Sequence, residues 1–243
     1  MNDSVSESRK ADLSRLYDLL ARLEEKVGGM RVLADCHGRL NWPSRGVYFF
    51  FEQGECRSGS GSGARVVRVG THGLKTGSRA SLWNRLSTHG GTTSGGNHRG
   101  SIFRLLLGAA IEQATGVGPV SSWGVASDMQ TAARRLGTSV EQIKSVEASL
   151  ERQVSDYVRA MPVLWLPVND DPGPQSHRGG IERCSIGLLS GRGGHIDSPS
   201  ETWLGAKSHK ELVRTSGLWN NRHVDEVYDP EFLNVFERHL LAF

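Results

Sequence analysis

Leucines at 13, 16, 20 and 23, with Val27 one turn on, recur at helical spacing. They predict an amphipathic helix over residues 4–27, closed by Gly28-Gly29. MRVLADC (30–36) has the composition of a short strand, and Asn41-Trp42-Pro43-Ser44 reads as a turn. The pattern then changes period. GVYFFFE (46–52) and RVVRVG (65–70) are aromatic and β-branched runs of strand length. The glycine- and serine-rich link between them predicts a flexible hairpin connection. A helix is expected over 81–89, then the glycine-rich loop GGTTSGGNHRGS and a helix beginning IFRLLLGAAIEQ. Residues 115–138 read as irregular around a short helix near 127–136. A longer helix over 139–161 opens on Ser139 and Gln142, spaced as in a capping box. PVLWLPV (162–168) predicts a buried strand, 178–190 a helix, and a C-terminal helix starts at about Asp229.

These elements predict an α+β chain, a small antiparallel or mixed sheet flanked by helices. Its expected organisation is an N-terminal helical arm (1–43), a core (44–190) with a helical insertion at about 115–161, and a C-terminal extension (191–243). The leucine stripe of the first helix can pack on the chain's own core or form a homodimer interface.

Charge sharpens the picture only when read locally. The 243 residues carry 29 basic and 26 acidic side chains, a net charge of +3. Between positions 57 and 111, however, there is no Asp or Glu, and eight basic residues stand there: Arg57, Arg65, Arg68, Lys75, Arg79, Arg85, Arg99 and Arg104. A single-sign field of this kind favours a polyanionic partner, or it is simply a solvated basic face. Cys36, Cys56 and Cys184 show no disulfide or zinc spacing, which fits a reducing cytoplasm. The N-terminus lacks the basic-then-apolar order of a signal peptide. No apolar run approaches the ~20 residues that span a bilayer, so no membrane partner is expected.

Gly46-Val47-Tyr48, then Arg68-Val69-Gly70, then Arg85 and His89 four residues apart on one helix face, then a lone Glu182 on a later helix, form an ordered set. The set resembles the GIY-YIG nuclease family over roughly residues 44–104 and 162–190. The histidine at 89 and the large accessory region are more similar to the restriction-enzyme branch than to the repair branch. The second motif departs from the family, with Arg68 where a tyrosine is usual. The family's asparagine after the glutamate has only a distant candidate, Asn220.

The resemblance implies a divalent-metal-dependent endonuclease acting on DNA, with RNA left open, and a role in restriction or defence against foreign DNA. Tyr48, Arg85, His89 and Glu182 would be catalytic. Glu182 would hold Mg²⁺ or Mn²⁺, since Mg²⁺ needs few protein ligands. Arg85 would grip phosphate, Tyr48 would serve as general base, and His89 would orient it or take its proton. Arg68, His72, Lys75, His98, Arg99, Arg104 and Asn220 would bind substrate, the glycine-rich loop letting backbone amides approach phosphates. Taken singly, each residue has a plainer reading. Tyr48 could be core, Arg85 surface, His89 a helix cap and Glu182 a partner of a helix dipole. The alternative for the whole is a nucleic-acid-binding protein that keeps the scaffold without cutting.

Overall fold

The computed structural model describes residues 2–116 and 120–243. Residues 117–119, part of the stretch expected to be irregular, lie outside the described residues. In chain order the elements are α1 (Asn2–Val27), β1 (Arg31–Val32), β2 (Gly46–Cys56), β3 (Ala64–Gly70), α2 (Leu82–Gly90), α3 (Ile102–Thr115), α4 (Met129–Leu136), α5 (Val140–Arg159), β4 (Pro162–Pro167), α6 (His177–Leu189), α7 (Glu211–Ser216) and α8 (Glu231–Leu241). The four strands form one antiparallel sheet in the order β1-β4-β2-β3. The α+β expectation holds. MRVLADC supplies only a two-residue strand before a 3₁₀ turn at Leu33–Asp35.

β2 reads as an unbroken apolar run because both faces of the sheet are covered. Val47, Phe49 and Phe51 pack with Val66, Val69, Leu164 and Leu166 against α1, α6 and α8. Tyr48 and Phe50 point the other way, into a second core with Leu82 and Leu86 of α2, Phe103 of α3, and Val154 and Val158 of α5. α1 spends its stripe inside the molecule. Leu13, Leu16, Leu20 and Leu23 are buried in the first core, so this stripe is not a dimer interface.

One connection differs from expectation because a distant residue fastens it. The loop after β2 is not a loose hairpin link. The backbone N–H groups of Ser58, Gly59 and Ser60 all donate to Asp197 Oδ1 at 2.8–2.9 Å. Burial alone would raise the Asp197 pKa, but these bonds and the Ser60 hydroxyl hold it below the usual carboxylate range. β3 is an edge strand, and the C-terminal segment closes it. Trp219 N–H donates to Val67 O at 2.7 Å, while the Asn220 side chain accepts from Val69 N–H (3.1 Å) and donates to Val69 O (2.9 Å).

Candidate active site

The site begins with the register of β2 and β3. Tyr48 stands directly opposite Gly70. A Cβ at Gly70 would lie 2.3 Å from the Tyr48 hydroxyl oxygen, so the glycine of the second motif makes room for the tyrosine of the first. Thr71 ties the two motif ends together, its hydroxyl donating to Gly46 O at 2.8 Å. Gly70→Ala is therefore expected to displace the Tyr48 ring. A crystal structure or the tyrosine ring NMR signals would show the shift, with a lowered melting temperature.

Below the sheet, α2 starts at Ser81, whose hydroxyl accepts from Asn84 N–H at 3.2 Å. Its last turn delivers His89. This histidine is no surface helix cap, because it is fully buried between two hydroxyls. Tyr48 Oη lies 2.7 Å from His89 Nε2, and Ser101 Oγ lies 2.7 Å from Nδ1. Burial first, then Arg85, Arg68 and Arg104, push the imidazole well below its ordinary pKa, so it is neutral. With its proton on Nδ1, Nε2 accepts the Tyr48 hydroxyl proton. Tyr48, like His89, has no exposed surface.

Glu182 reaches the same place from the other face. Arg178, fully buried, donates to Asp170 and, at 2.6 Å, to His72 O, pinning the start of α6 to the end of β3. One turn on, Glu182 Oε1 accepts from Thr71 N–H at 3.1 Å. Burial raises its pKa, opposed by that bond and by Arg68, His223 and Arg85. No guanidinium is ion-paired to it among the described residues, and its other oxygen has no hydrogen-bond partner there. It lines a groove of about 740 Å³ bounded by Leu74–Thr76, Gly173–Ser176, His223 and the start of α8. A half-buried carboxylate that lines a groove and keeps one oxygen unpartnered fits a divalent cation.

Arg68 and Arg85 lie between these halves. Arg68 is buried, stacked over Phe103 at 4.6 Å and bonded to Trp219 O, with its Nε unpartnered. Burial lowers its pKa, and the charges that bear on it are those of the site, Tyr48, Arg85 and Glu182. Arg85 is half-buried and held by one long bond, 3.3 Å to Gly100 O. The structure thus brings Tyr48, His89, Arg85, Arg68 and Glu182 together. Lys75 is exposed on the groove wall.

The other expected substrate contacts are spent elsewhere. Arg99 forms a bidentate pair with Glu147 (2.7 and 2.8 Å), and His98 Nδ1 lies 2.9 Å from Glu151. Arg104, fully buried, bonds Glu151, Ser155 and the carbonyl of His89. The glycine-rich loop serves this network rather than a phosphate. Cβ atoms at Gly96 and Gly91 would lie 2.5 Å from Arg104 and 2.6 Å from Ser155 Oγ. Asn220 is consumed by the edge of β3.

His72 is buried, with Nε2 3.3 Å from Ser44 O, and burial drops its pKa to about 4. His72 and His89 are both neutral when folded but titrate normally when unfolded. The unfolded state therefore binds more protons below pH 6.5, and stability falls as pH drops from about 6.5 towards 4. Melting temperatures across that window should show the decline, and His72→Gln should flatten it.

His98, Glu147 and Glu151 place ligand atoms within 4.8 Å of one another. Two guanidiniums already neutralise these two carboxylates, so a dication there would meet Arg99 and Arg104. We read the cluster as an ion-pair network. Burial alone would raise the Glu151 pKa, yet bonds from His98 and Arg104 hold it down.

Comparison with curated proteins and with solved structures returned no match. The family profile of the GIY-YIG domain matches residues 7–242. That span takes in the paired motif strands, the arginine–histidine helix and the glutamate helix just described, as well as α1 and α8, and so the chain belongs to the GIY-YIG domain family, a family of nucleases.

Proposed function

We propose that this chain is a divalent-metal-dependent endonuclease hydrolysing phosphodiester bonds of DNA. The observation that carries the reading is the closeness of Tyr48–His89, Arg68 and Arg85 to Glu182, the one of them that lines the groove. Arg85 and Lys75 hold the backbone, the planar guanidinium matching phosphate oxygens. Tyr48 takes a proton from water as the water oxygen attacks phosphorus, passing its own hydroxyl proton to His89 Nε2. The bond from phosphorus to the leaving oxygen breaks, and that oxygen is protonated from solvent. Glu182 would hold Mg²⁺ or Mn²⁺, which when bound supplies positive charge at the leaving oxygen. Because Tyr48 has no exposed surface, the side chains over its hydroxyl must part when substrate docks. Arg85, near His89 and held by a single long bond, is the candidate to move.

The histidine at 89 and the accessory helices fit the restriction-like branch, and destruction of foreign DNA is the role that branch would give. No helix among the described residues is long and apolar enough to cross a membrane. The full burial of Tyr48 favours one other reading, a scaffold that binds nucleic acid without cutting it. Nicking of supercoiled plasmid in Mg²⁺ or Mn²⁺ decides between them. Cutting supports the nuclease, and binding at low salt with no cutting of any DNA or RNA form supports the scaffold.

A further inference from the structure

On the wall of the groove that holds Glu182 stands a residue outside the motif set, His223. Three features mark it as built rather than incidental. Its backbone is left-handed, φ +64°, uncommon outside glycine. A turn holds it there, with Glu226 N–H donating to His223 O at 3.2 Å. Its ring is aimed as well: Nδ1 lies 2.6 Å from Glu226 Oε1, and Arg183 Nε backs that carboxylate at 3.7 Å. A carboxylate on Nδ1 selects the Nδ1–H tautomer of the neutral ring, in which Nε2 is the lone-pair donor. Metal-ligating histidines are oriented in just this way. Glu182 likewise keeps one oxygen free and lines the same groove.

We propose that His223 is a second metal ligand, forming with Glu182 a carboxylate–imidazole site that favours a transition ion such as Mn²⁺ over Mg²⁺. The proposal rests on Glu182 being the metal ligand of the nuclease site. An imidazole ligand raises affinity for Mn²⁺ and later transition ions, whereas Mg²⁺ gains little from nitrogen. Glu226 is then a positioning residue, touching the ligand and not the ion.

The test is binding of MnCl₂ alone to the full chain at fixed pH, followed by calorimetry and by the EPR signal of free Mn²⁺. His177 and His239 form another imidazole pair on the surface, 2.9 Å apart, and are both changed to alanine in the reference protein. His223→Gly suits the left-handed backbone, so a loss of affinity cannot come from a strained turn. We expect His223→Gly to weaken Mn²⁺ roughly tenfold or more, Glu226→Gln to weaken it roughly tenfold, and Mg²⁺ affinity to change little in either. In the NMR spectrum, Mn²⁺ should broaden the His223 ring signals at the lowest additions. If Glu182→Gln abolishes Mn²⁺ binding while His223→Gly leaves it intact, His223 is not a ligand and the Glu182 reading stands. If neither variant alters binding, both assignments fall. If binding disappears already in the reference protein, the surface pair was the chelator and the proposal is overturned.

Discussion

Glu182→Gln is expected to abolish plasmid nicking while leaving the fold and DNA binding in place. The substitution keeps shape and keeps an oxygen for Thr71 N–H, now 3.1 Å from Oε1. What it removes is the negative charge that would hold the cation. The stabilisation lost at the leaving oxygen is about 4 kcal/mol, roughly a thousandfold in rate. Stability should not fall. Burial raises the Glu182 pKa, so the charged carboxylate costs folding energy that a neutral amide does not. Binding of DNA should hold or tighten, because one anionic group leaves the groove proposed to take the DNA backbone. Melting temperature, gel-shift affinity and nicking rate, measured on one preparation, check all three. Arg85→Ala should behave differently, losing both cutting and part of the DNA affinity.

The sheet and the motif helix were readable because their signals are local. GVYFFF has no polar alternation to misplace, and Ser81 marks the start of α2 by composition alone. The Tyr48–Gly70 pairing was not readable, because two register shifts separate it from the β2–β3 loop. Charge was misread because its partners are remote. Of the eight basic residues between 57 and 111, Arg57 lies over the Tyr17 ring, and Arg65, Arg99 and Arg104 pair with Glu55, Glu147 and Glu151. Arg68 is buried at the site, so only Lys75, Arg79 and Arg85 still offer themselves to a polyanion. Three of the eight thus answer carboxylates that lie outside the acid-free stretch. The cue was present in α5, whose apolar stripe is interrupted by Glu147 and Glu151, four residues apart and both buried. Carboxylates on a buried helix face call for cations from elsewhere. His223 gave no such cue, since its left-handed backbone and its bond to Glu226 exist only once the turn is folded.

Arg104→Met should cost more stability than any other single change at the site. The guanidinium donates to Glu151 Oε2 through Nε (3.1 Å), to Ser155 Oγ and Glu151 O (2.9 Å each), and to His89 O (2.9 Å). Methionine fills much of the volume but leaves the Glu151 carboxylate buried without its cation, at about 3–5 kcal/mol. At 2–4 °C per kcal/mol for a chain of this size, the melting temperature should drop by about 6–20 °C. The sign of the cause can be separated from lost packing. In Arg104→Met/Glu151→Gln the stranded charge is gone, yet an oxygen remains for His98 N–H, which now donates to Glu151 Oε1. The double variant should therefore be more stable than Arg104→Met alone, whereas a pure packing defect would make it no better. Function should follow the same bond. Arg104 holds the carbonyl of His89, so its loss frees the last turn of α2 and with it the partner of Tyr48. Nicking should remain impaired in the double variant even where stability returns, because Glu151→Gln restores the charge balance but not the grip on His89.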